Sequence, residues 1–153
     1  MLRRLCLIAC LSCFILGCGQ TPVPAPVVGT IDGDVIDFNE LRGQWVVLNY
    51  WASWCKPCYQ EIPELNAFAK QQADNNVVVL GVSFDQVPPY ELKMLIRQLG
   101  IEFPTLAVNP GSQLGLPDIP GLPTTYILNP QGKLVNRLYG EQTRESLLAA
   151  LND

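Results

Sequence analysis

The sequence Trp54-Cys55-Lys56-Pro57-Cys58 places two cysteines on either side of a Lys-Pro pair. It follows the apolar run Val46–Trp51 and precedes a segment, Tyr59–Gln72, whose apolar residues recur with helical spacing. A strand that leads into a helix with Cys-x-x-Cys in its first turn is typical of a redox site. The helix N-terminus offers unpaired N–H groups and a positive dipole end, which favour a thiolate over a thiol. We therefore predict that Cys55 attacks disulfides and that Cys58 resolves the mixed disulfide.

The composition narrows the possible functions. The chain has 153 residues, of which 48% are hydrophobic and 16% charged, as expected for one globular domain. A net charge of −4 without a basic stripe argues against nucleic-acid binding. The sequence contains no histidine, which excludes Ser-His and Cys-His catalysis, histidine-ligated metals and Cys-x-x-Cys-His haem attachment. We predict neither a cofactor nor a bound metal.

The N-terminus has the layout of a secretory signal peptide. A basic start, Met1–Arg4, precedes the apolar stretch Leu5–Leu16, which is shorter than the about 20 residues of a spanning helix. The sequence Ile15–Cys18 resembles a bacterial lipoprotein box, and the resemblance implies that Cys18 is lipidated and becomes the first mature residue. An ordinary signal peptide and an uncleaved anchor are the alternatives.

Three regions follow from this interpretation. We expect a lipoprotein signal peptide at 1–17, a proline-rich extended tether at 18–26 and a folded domain at 27–153. The predicted location is the periplasmic face of a bacterial membrane, with the protein anchored by lipid. Glycine rather than aspartate after the lipidated cysteine favours the outer membrane.

The pattern along the domain predicts an α/β fold. A small hairpin is expected around Asp32-Gly33-Asp34, and right-handed crossovers would make the first two long strands parallel neighbours in a central sheet. The predicted strands are Gly29–Ile31, Val35–Asp37, Trp45–Trp51, Val77–Ser83, Thr105–Val108, Thr124–Leu128 and Lys133–Tyr139, and the predicted helices are Pro57–Gln72, Pro89–Leu99 and Arg144–Leu151.

Three segments together resemble the TlpA/ResA-like branch of thioredoxin-fold oxidoreductases, over about residues 27–152. They are Trp51–Cys58, Gly121–Asn129 and the β-α segment Leu80–Val108. The resemblance implies a thioredoxin-like fold: a central mixed sheet flanked by helices, with an N-terminal hairpin and a β-α insert. It also implies a cis peptide before Pro123, opposite the cysteines. The backbone of Leu122 would then pair with an extended substrate, and Pro123 would keep metal ions away from the dithiol.

Several residues around the dithiol receive predicted roles. We expect Cys55 to be exposed, with Lys56 adding positive charge and Pro57 stiffening the loop. Trp51 is expected in the core and Trp54 at the surface near the substrate. The predicted substrate groove comprises Trp54, Lys56, Pro57, Leu122, Pro123 and Thr124.

Glu61 is the predicted proton acceptor. Asn49 stands where thioredoxin itself has a buried aspartate, and asparagine cannot titrate. In the ResA-like branch the acid lies three residues after the second cysteine, which here is Glu61. Residues i and i+3 share a helix face, so a partly buried Glu61 could take up the proton of Cys58. The alternative is a solvated helix glutamate.

The resemblance implies a thiol–disulfide oxidoreductase that reduces disulfide-bearing proteins outside the cytoplasm. We expect it to be a monomer. Its electrons would come from a membrane thiol transporter of the DsbD/CcdA type. The alternatives are a peroxiredoxin-like peroxidase, which needs a threonine where Ala52 stands, and a metal-delivery protein, which needs histidine. A zinc or structural binding module is a further alternative. Segment 111–121 departs from the family pattern because its glycines and prolines leave room for a short helix at most.

Overall fold

The computed structural model describes residues 24–152. The predicted signal peptide, Cys18 and the tether as far as residue 23 lie outside the described residues. The strands are β1 Val27–Gly29, β2 Val35–Asp37, β3 Trp45–Trp51, β4 Val77–Ser83, β5 Thr105–Leu106, β6 Thr124–Leu128 and β7 Leu134–Tyr139, and the helices are α1 Lys56–Gln72, α2 Pro89–Leu99 and α3 Arg144–Ala150. Within residues 24–152, no helix has both the length and the apolar character needed to cross a membrane.

A five-stranded mixed sheet forms the centre of the domain, in the order β5-β4-β3-β6-β7. β3 runs parallel to β4, which in turn runs parallel to β5, whereas β6 is antiparallel to both β3 and β7. The predicted parallel pairing of the first two long strands is therefore confirmed. Because β3 and β6 are antiparallel, the carboxyl end of β3 lies beside the start of β6, with Tyr50 opposite Thr124.

The central strand β3 is buried on both faces, which explains its unbroken apolar run. Alternate residues point to opposite sides of the sheet. Val47 and Trp51 join a core cluster with the buried face of α1, whereas Leu48 and Tyr50 join a second cluster on the other side. The sheet thus separates two apolar layers, and the dithiol belongs to the layer that contains α1.

Two of the short strands differ from the prediction. The hairpin pairs β1 with β2, with Val28 opposite Ile36, so its first strand lies two residues earlier than predicted. Thr30 instead bridges to Leu106, and the N–H of Ile31 donates to the carbonyl of Thr105. β5 ends at Leu106 rather than Val108. These short strands are set by contacts between distant parts of the chain, which local sequence patterns do not contain.

Segment 111–121 contains turns but no helix, in agreement with its glycine and proline content. The N–H of Leu114 donates to the carbonyl of Pro110, and the hydroxyl of Tyr126 donates to the carbonyls of Pro117 and Asp118. The segment therefore packs against the sheet face opposite α1 and leads directly into the loop before β6.

Candidate active site

The two cysteines form a disulfide at the start of α1, with their Cα atoms 5.3 Å apart. Cys55 is the N-cap residue, and its Sγ accepts a hydrogen bond of 3.3 Å from the N–H of Cys58. A side chain that caps a helix satisfies one of the N–H groups that the first turn leaves free. The same N–H groups can stabilise a thiolate at Cys55 in the reduced protein.

Cys55 is buried, so the prediction that it is exposed was wrong. Its exposed fraction is 5%, because the capping side chain turns inward and joins the core cluster that contains Trp51 and Ala52. Cys58 is fully buried. Trp51 is also fully buried, whereas Trp54 is 69% exposed, as the sequence predicted for both tryptophans.

A carboxylate that received no role from the sequence anchors the loop before the dithiol. Asp85, just beyond the end of β4, accepts hydrogen bonds from the N–H of Ser53 (2.8 Å) and from its hydroxyl (2.6 Å). Ser83 also donates its hydroxyl to Asp85, at 3.0 Å. Asp85 therefore ties the carboxyl end of β4 to the residues that precede Cys55.

Glu61 lies one turn beyond Cys58 on α1 and is buried, with an exposed fraction of 1%. It is therefore not the solvated glutamate of the alternative interpretation. The side-chain amide of Asn49 donates to its Oε1 at 2.7 Å, and the backbone N–H of Gln142 donates to its Oε2 at 3.1 Å. Asn49, which replaces the aspartate of thioredoxin, thus contacts the acid directly.

The surroundings of Glu61 change its acidity. Burial disfavours the charged carboxylate and raises the pKa of Glu61 to about 7. The hydrogen bonds from Asn49 and Gln142 act in the opposite direction, and the nearby charge of Glu141 raises the pKa further. A carboxyl group with this pKa can take up and release a proton near neutral pH.

Hydrogen bonds connect Glu61 to the loop that contains the cis-proline. Asn49 also donates to the hydroxyl of Thr125, at 3.1 Å. The side chain of Gln142 donates to the carbonyl of Gly140 (2.8 Å), and the N–H of Gly140 donates to the carbonyl of Pro123 (3.0 Å). The buried acid is thus linked through β6 and through the loop after β7 to the same proline.

The peptide bond between Leu122 and Pro123 is cis, as the family resemblance implied. It borders a groove of about 250 Å³, and Leu122 packs against the core cluster that contains both cysteines. The groove is lined by Pro120, Gly121, Leu122, Pro123, Thr124, Tyr139 and Gly140. The consecutive residues Leu122, Pro123 and Thr124 line this groove, whereas Trp54, in the loop before α1, and Lys56 and Pro57, in its first turn, do not.

The sequence did not identify three of the polar groups around this site. The position of Asp85 could have indicated a role at the site, because it follows a buried strand at the edge of the sheet where α/β sites form. Gln142 contributes a backbone N–H, which nearly every residue type has, so its hydrogen bond to Glu61 could not be predicted from the sequence. Ser53 acts through its contact with Asp85, which lies 32 positions away in the sequence.

Within residues 24–152, no group of three or more His, Cys, Asp or Glu side chains could hold a metal ion.

Comparison with known proteins identifies the family. Residues 20–137 match the model of the AhpC/TSA family. The chain is 33% identical over 125 residues to the thiol-disulfide oxidoreductase ResA of Bacillus thuringiensis (strain Al Hakam). The aligned region covers 81% of this chain and 71% of that protein. The chain is 28% identical over 129 residues to the thiol-disulfide oxidoreductase ResA of Bacillus subtilis (strain 168), covering 84% and 72%.

Solved structures agree with this assignment. StoA from Bacillus subtilis superposes with a TM-score of 0.68 at 26% identity, over 84% of this chain and 98% of that chain. The dithiol site thus lies on the thioredoxin-like fold that the sequence predicted, and the Cys55–Cys58 pair is the redox-active disulfide of an oxidoreductase. The chain belongs to the AhpC/TSA family and, within the thioredoxin superfamily, to the TlpA/ResA-like thiol-disulfide oxidoreductases.

Proposed function

We propose that this oxidoreductase reduces protein disulfides outside the cytoplasm and that Glu61 accepts the proton of Cys58 during the reaction. The observation that carries the proposal is the burial of the Glu61 carboxyl group one helical turn from Cys58, with a pKa of about 7. A base near the resolving thiol is needed because a buried thiol is a poor nucleophile until it loses its proton.

The first step begins with the reduced protein. The Cys55 thiolate attacks one sulfur of a substrate disulfide, forming a Cys55–substrate disulfide and releasing the other substrate sulfur as a thiolate, which takes a proton from water. The N–H of Cys58 points at the Cys55 sulfur, and Lys56 adds a positive charge at the surface. Both favour the thiolate form of Cys55.

In the second step Cys58 gives its proton to the Glu61 carboxylate, and the resulting thiolate attacks Cys55 Sγ. The mixed disulfide breaks, the second substrate sulfur leaves as a thiolate and is protonated, and Cys55 and Cys58 become a disulfide. Two electrons have then passed from the protein dithiol to the substrate. An electron donor must then reduce the Cys55–Cys58 disulfide before the next turnover. A membrane thiol transporter of the DsbD/CcdA type could supply these electrons.

The substrate is held beside the dithiol in this proposal. The backbone of Leu122 pairs with an extended segment of the substrate, next to Pro123 and Thr124. Trp54, which is exposed beside Cys55, contacts the substrate from the other side of the dithiol. Pro57, in the first turn of α1, has no intrahelical N–H bond to lose and limits movement between the cysteines.

A lipid anchor at Cys18 would place the reaction at the periplasmic face of a bacterial membrane. The predicted signal peptide at 1–17 and the predicted tether at 18–26 support this location, and the glycine after Cys18 favours the outer membrane. One matched structure is the pneumococcal exposed lipoprotein thioredoxin Etrx1 of Streptococcus pneumoniae, with a TM-score of 0.73 at 26% identity over 83% of this chain and 97% of that chain. We propose the same kind of attachment here.

Trapping of the mixed disulfide tests this function. Cys58→Ser removes the resolving thiol, so reduced Cys55 is expected to remain covalently bound to oxidised insulin or to an envelope protein, and dithiothreitol should release the partner. Cys55→Ser is the matched control and should trap far less. If Cys58→Ser traps no disulfide-bearing protein while the native protein leaves insulin oxidised, the proposed reductase function is wrong.

A further inference from the structure

Segment 111–121 forms one side of a pocket that the proposed reaction does not use. The pocket shares no lining residue with the groove beside the cis-proline. Tyr50, which lines it, belongs to the core cluster on the sheet face opposite α1, and two further lining residues, Leu116 and Ile119, pack against that cluster. Its volume of about 290 Å³ is just below the roughly 300–1,000 Å³ of small-molecule sites, which suits one long side chain.

The pocket lies at the same end of the sheet as the dithiol. Tyr50 is the penultimate residue of β3, and Phe84, another lining residue, directly follows β4. The N–H of Phe84 donates to the carbonyl of Trp51 at 2.8 Å, and Trp51 is four residues before Cys55. A polypeptide that brings a disulfide to Cys55 can therefore also contact this pocket.

The polar groups of the pocket offer oxygen atoms as hydrogen-bond acceptors. Tyr50 donates its hydroxyl hydrogen to Asn109 Oδ1 at 3.3 Å, so the phenol oxygen remains an acceptor. Gly111 leaves room for this pair, because a Cβ atom there would lie 3.2 Å from the Tyr50 hydroxyl and 3.0 Å from Asn109 Oδ1. Asp118 is exposed at the pocket and forms no ion pair among the described residues. Within residues 24–152, no lysine or arginine lines the pocket.

The walls of the pocket are aromatic and aliphatic. Phe84 is 39% exposed, and its ring meets that of Tyr50 edge to face with the ring centres 5.9 Å apart. The face of an aromatic ring attracts a cation, and a guanidinium group also stacks on it. Leu116 and Ile119 provide apolar surface that can cover the methylene groups of a long charged side chain. The pocket thus combines apolar walls with a negative charge that has no partner among the described residues.

We propose that this pocket binds an arginine side chain of the polypeptide whose disulfide is reduced, with the guanidinium group between Asp118 and the ring of Phe84. The inference rests on the proposed function, since the polypeptide must first reach the dithiol. Arginine fits because its guanidinium group has only donors to offer to these oxygen atoms, and its planar face stacks on a ring. A carboxylate would be repelled by Asp118. Asp118 is then a specificity-determining residue and takes no part in electron transfer.

Matched disulfide peptides test the proposal. Each contains one internal disulfide and carries arginine, citrulline or leucine, placed in turn at each neighbouring position on both sides of the disulfide. Citrulline has nearly the shape of arginine but no charge. At the position that reaches the pocket, the native protein should reduce the arginine peptide with a kcat/KM about fivefold higher than the citrulline peptide, through a lower KM. Added salt should weaken this preference, because it screens the ion pair.

Asp118→Asn should abolish the preference for arginine over citrulline, because the carboxylate is lost. The segment should stay in place, since the backbone carbonyl of Asp118 still accepts the hydrogen bond from the hydroxyl of Tyr126. Asp74→Asn is the matched control. It removes the same charge from an exposed position after α1, outside the pocket, and should leave the preference unchanged.

Equal kcat/KM values for the arginine and citrulline peptides at every position in the native protein would overturn the proposal. So would an unchanged preference in Asp118→Asn, or an equal loss in Asp74→Asn, since net charge alone would then explain it. A higher kcat/KM for the leucine peptide would also overturn it, because the pocket would then receive an apolar side chain. If the native protein reduced none of the peptides, the proposed function itself would be refuted.

Discussion

At the scale of single residues, Glu61 is the group whose environment most clearly departs from that of an ordinary side chain. A carboxyl group at 1% exposure is expensive to ionise, and two hydrogen bonds to it offset only part of that cost. A lone structural glutamate would gain stability by becoming uncharged or by moving to the surface. Its position on α1 one turn from Cys58 supports the proposed proton transfer from that thiol.

The buried acid makes stability depend on pH. Since its pKa rises from 4.5 to about 7 on folding, the folded protein binds a proton that the unfolded chain has released between these pH values. The free energy of unfolding of the oxidised protein should therefore fall as pH rises from about 4.5 to about 7, by roughly 3 kcal/mol in total. Denaturant unfolding at pH 5 and pH 8 measures the change.

Glu61→Gln should remove this dependence, because glutamine does not titrate. Glu64→Gln is the control, since Glu64 lies on the same helix but forms a surface ion pair with Arg144 at 3.1 Å. The Glu64→Gln variant should show the same fall in the free energy of unfolding between pH 5 and pH 8 as the native protein. If Glu61→Gln showed the same fall as the native protein, the pH dependence would come from another group and the account of Glu61 would be wrong.

At the scale of secondary-structure elements, the junction between β4 and the dithiol loop positions Cys55. Ser53 binds Asp85 through both its N–H and its hydroxyl, and Phe84 donates its N–H to the carbonyl of Trp51. The loop is therefore attached to the neighbouring strand immediately before the helix begins. This attachment holds the capping geometry of Cys55 in place.

Asp85→Ala should lower the free energy of unfolding by about 2 kcal/mol, because the N–H of Ser53 loses a charged acceptor in a partly buried site. Thermal and denaturant unfolding of the oxidised protein measure this. Asp74→Ala, at an exposed position after α1, is the control and should change stability by less than about 0.5 kcal/mol. Equal effects of the two substitutions would show that the Asp85 contacts do not stabilise the loop.

The elements differ in how far the sequence predicts them. The bounds of β3, β4 and α2 follow from runs and spacings within one segment, and they agree with the structure residue for residue. The first strand of the hairpin was misplaced because Thr30 pairs with Leu106, a partner far along the chain. The choice of Glu61 came from the family resemblance, and helical spacing added only that it shares a helix face with Cys58. The donor from Gln142 was not, since any residue could supply a backbone N–H at that point.

At the scale of the whole molecule, the last two residues of the predicted tether are bound to the folded domain. The carbonyl of Pro26 accepts a hydrogen bond from the N–H of Phe38, and that of Ala25 accepts one from the side chain of Asn39. The chain is thus fixed to the domain from residue 25 onward. Residues 18–24 would then provide the distance between a lipid on Cys18 and the catalytic surface.

Cys18→Ser should release the protein from the membrane fraction, because the proposed lipid anchor is attached through the Cys18 thiol. Fractionation with and without detergent measures the distribution. Ser53→Ala, which does not alter the predicted lipoprotein box, is the control and should stay with the membrane. Retention of Cys18→Ser in the membrane fraction would contradict the lipid anchor and favour an uncleaved signal anchor.

The most direct test of the central claim is the rate at which the reduced protein completes one turnover with oxidised insulin, measured by stopped flow from pH 5 to pH 9. Because the Glu61 carboxylate must be ionised to accept the proton of Cys58, the rate of resolution should rise through about pH 7 in the native protein. In Glu61→Gln that rise should be absent, and the rate at pH 8 should be lower by about a hundredfold, with Glu64→Gln unchanged. The same rate and the same pH profile in Glu61→Gln would contradict the account.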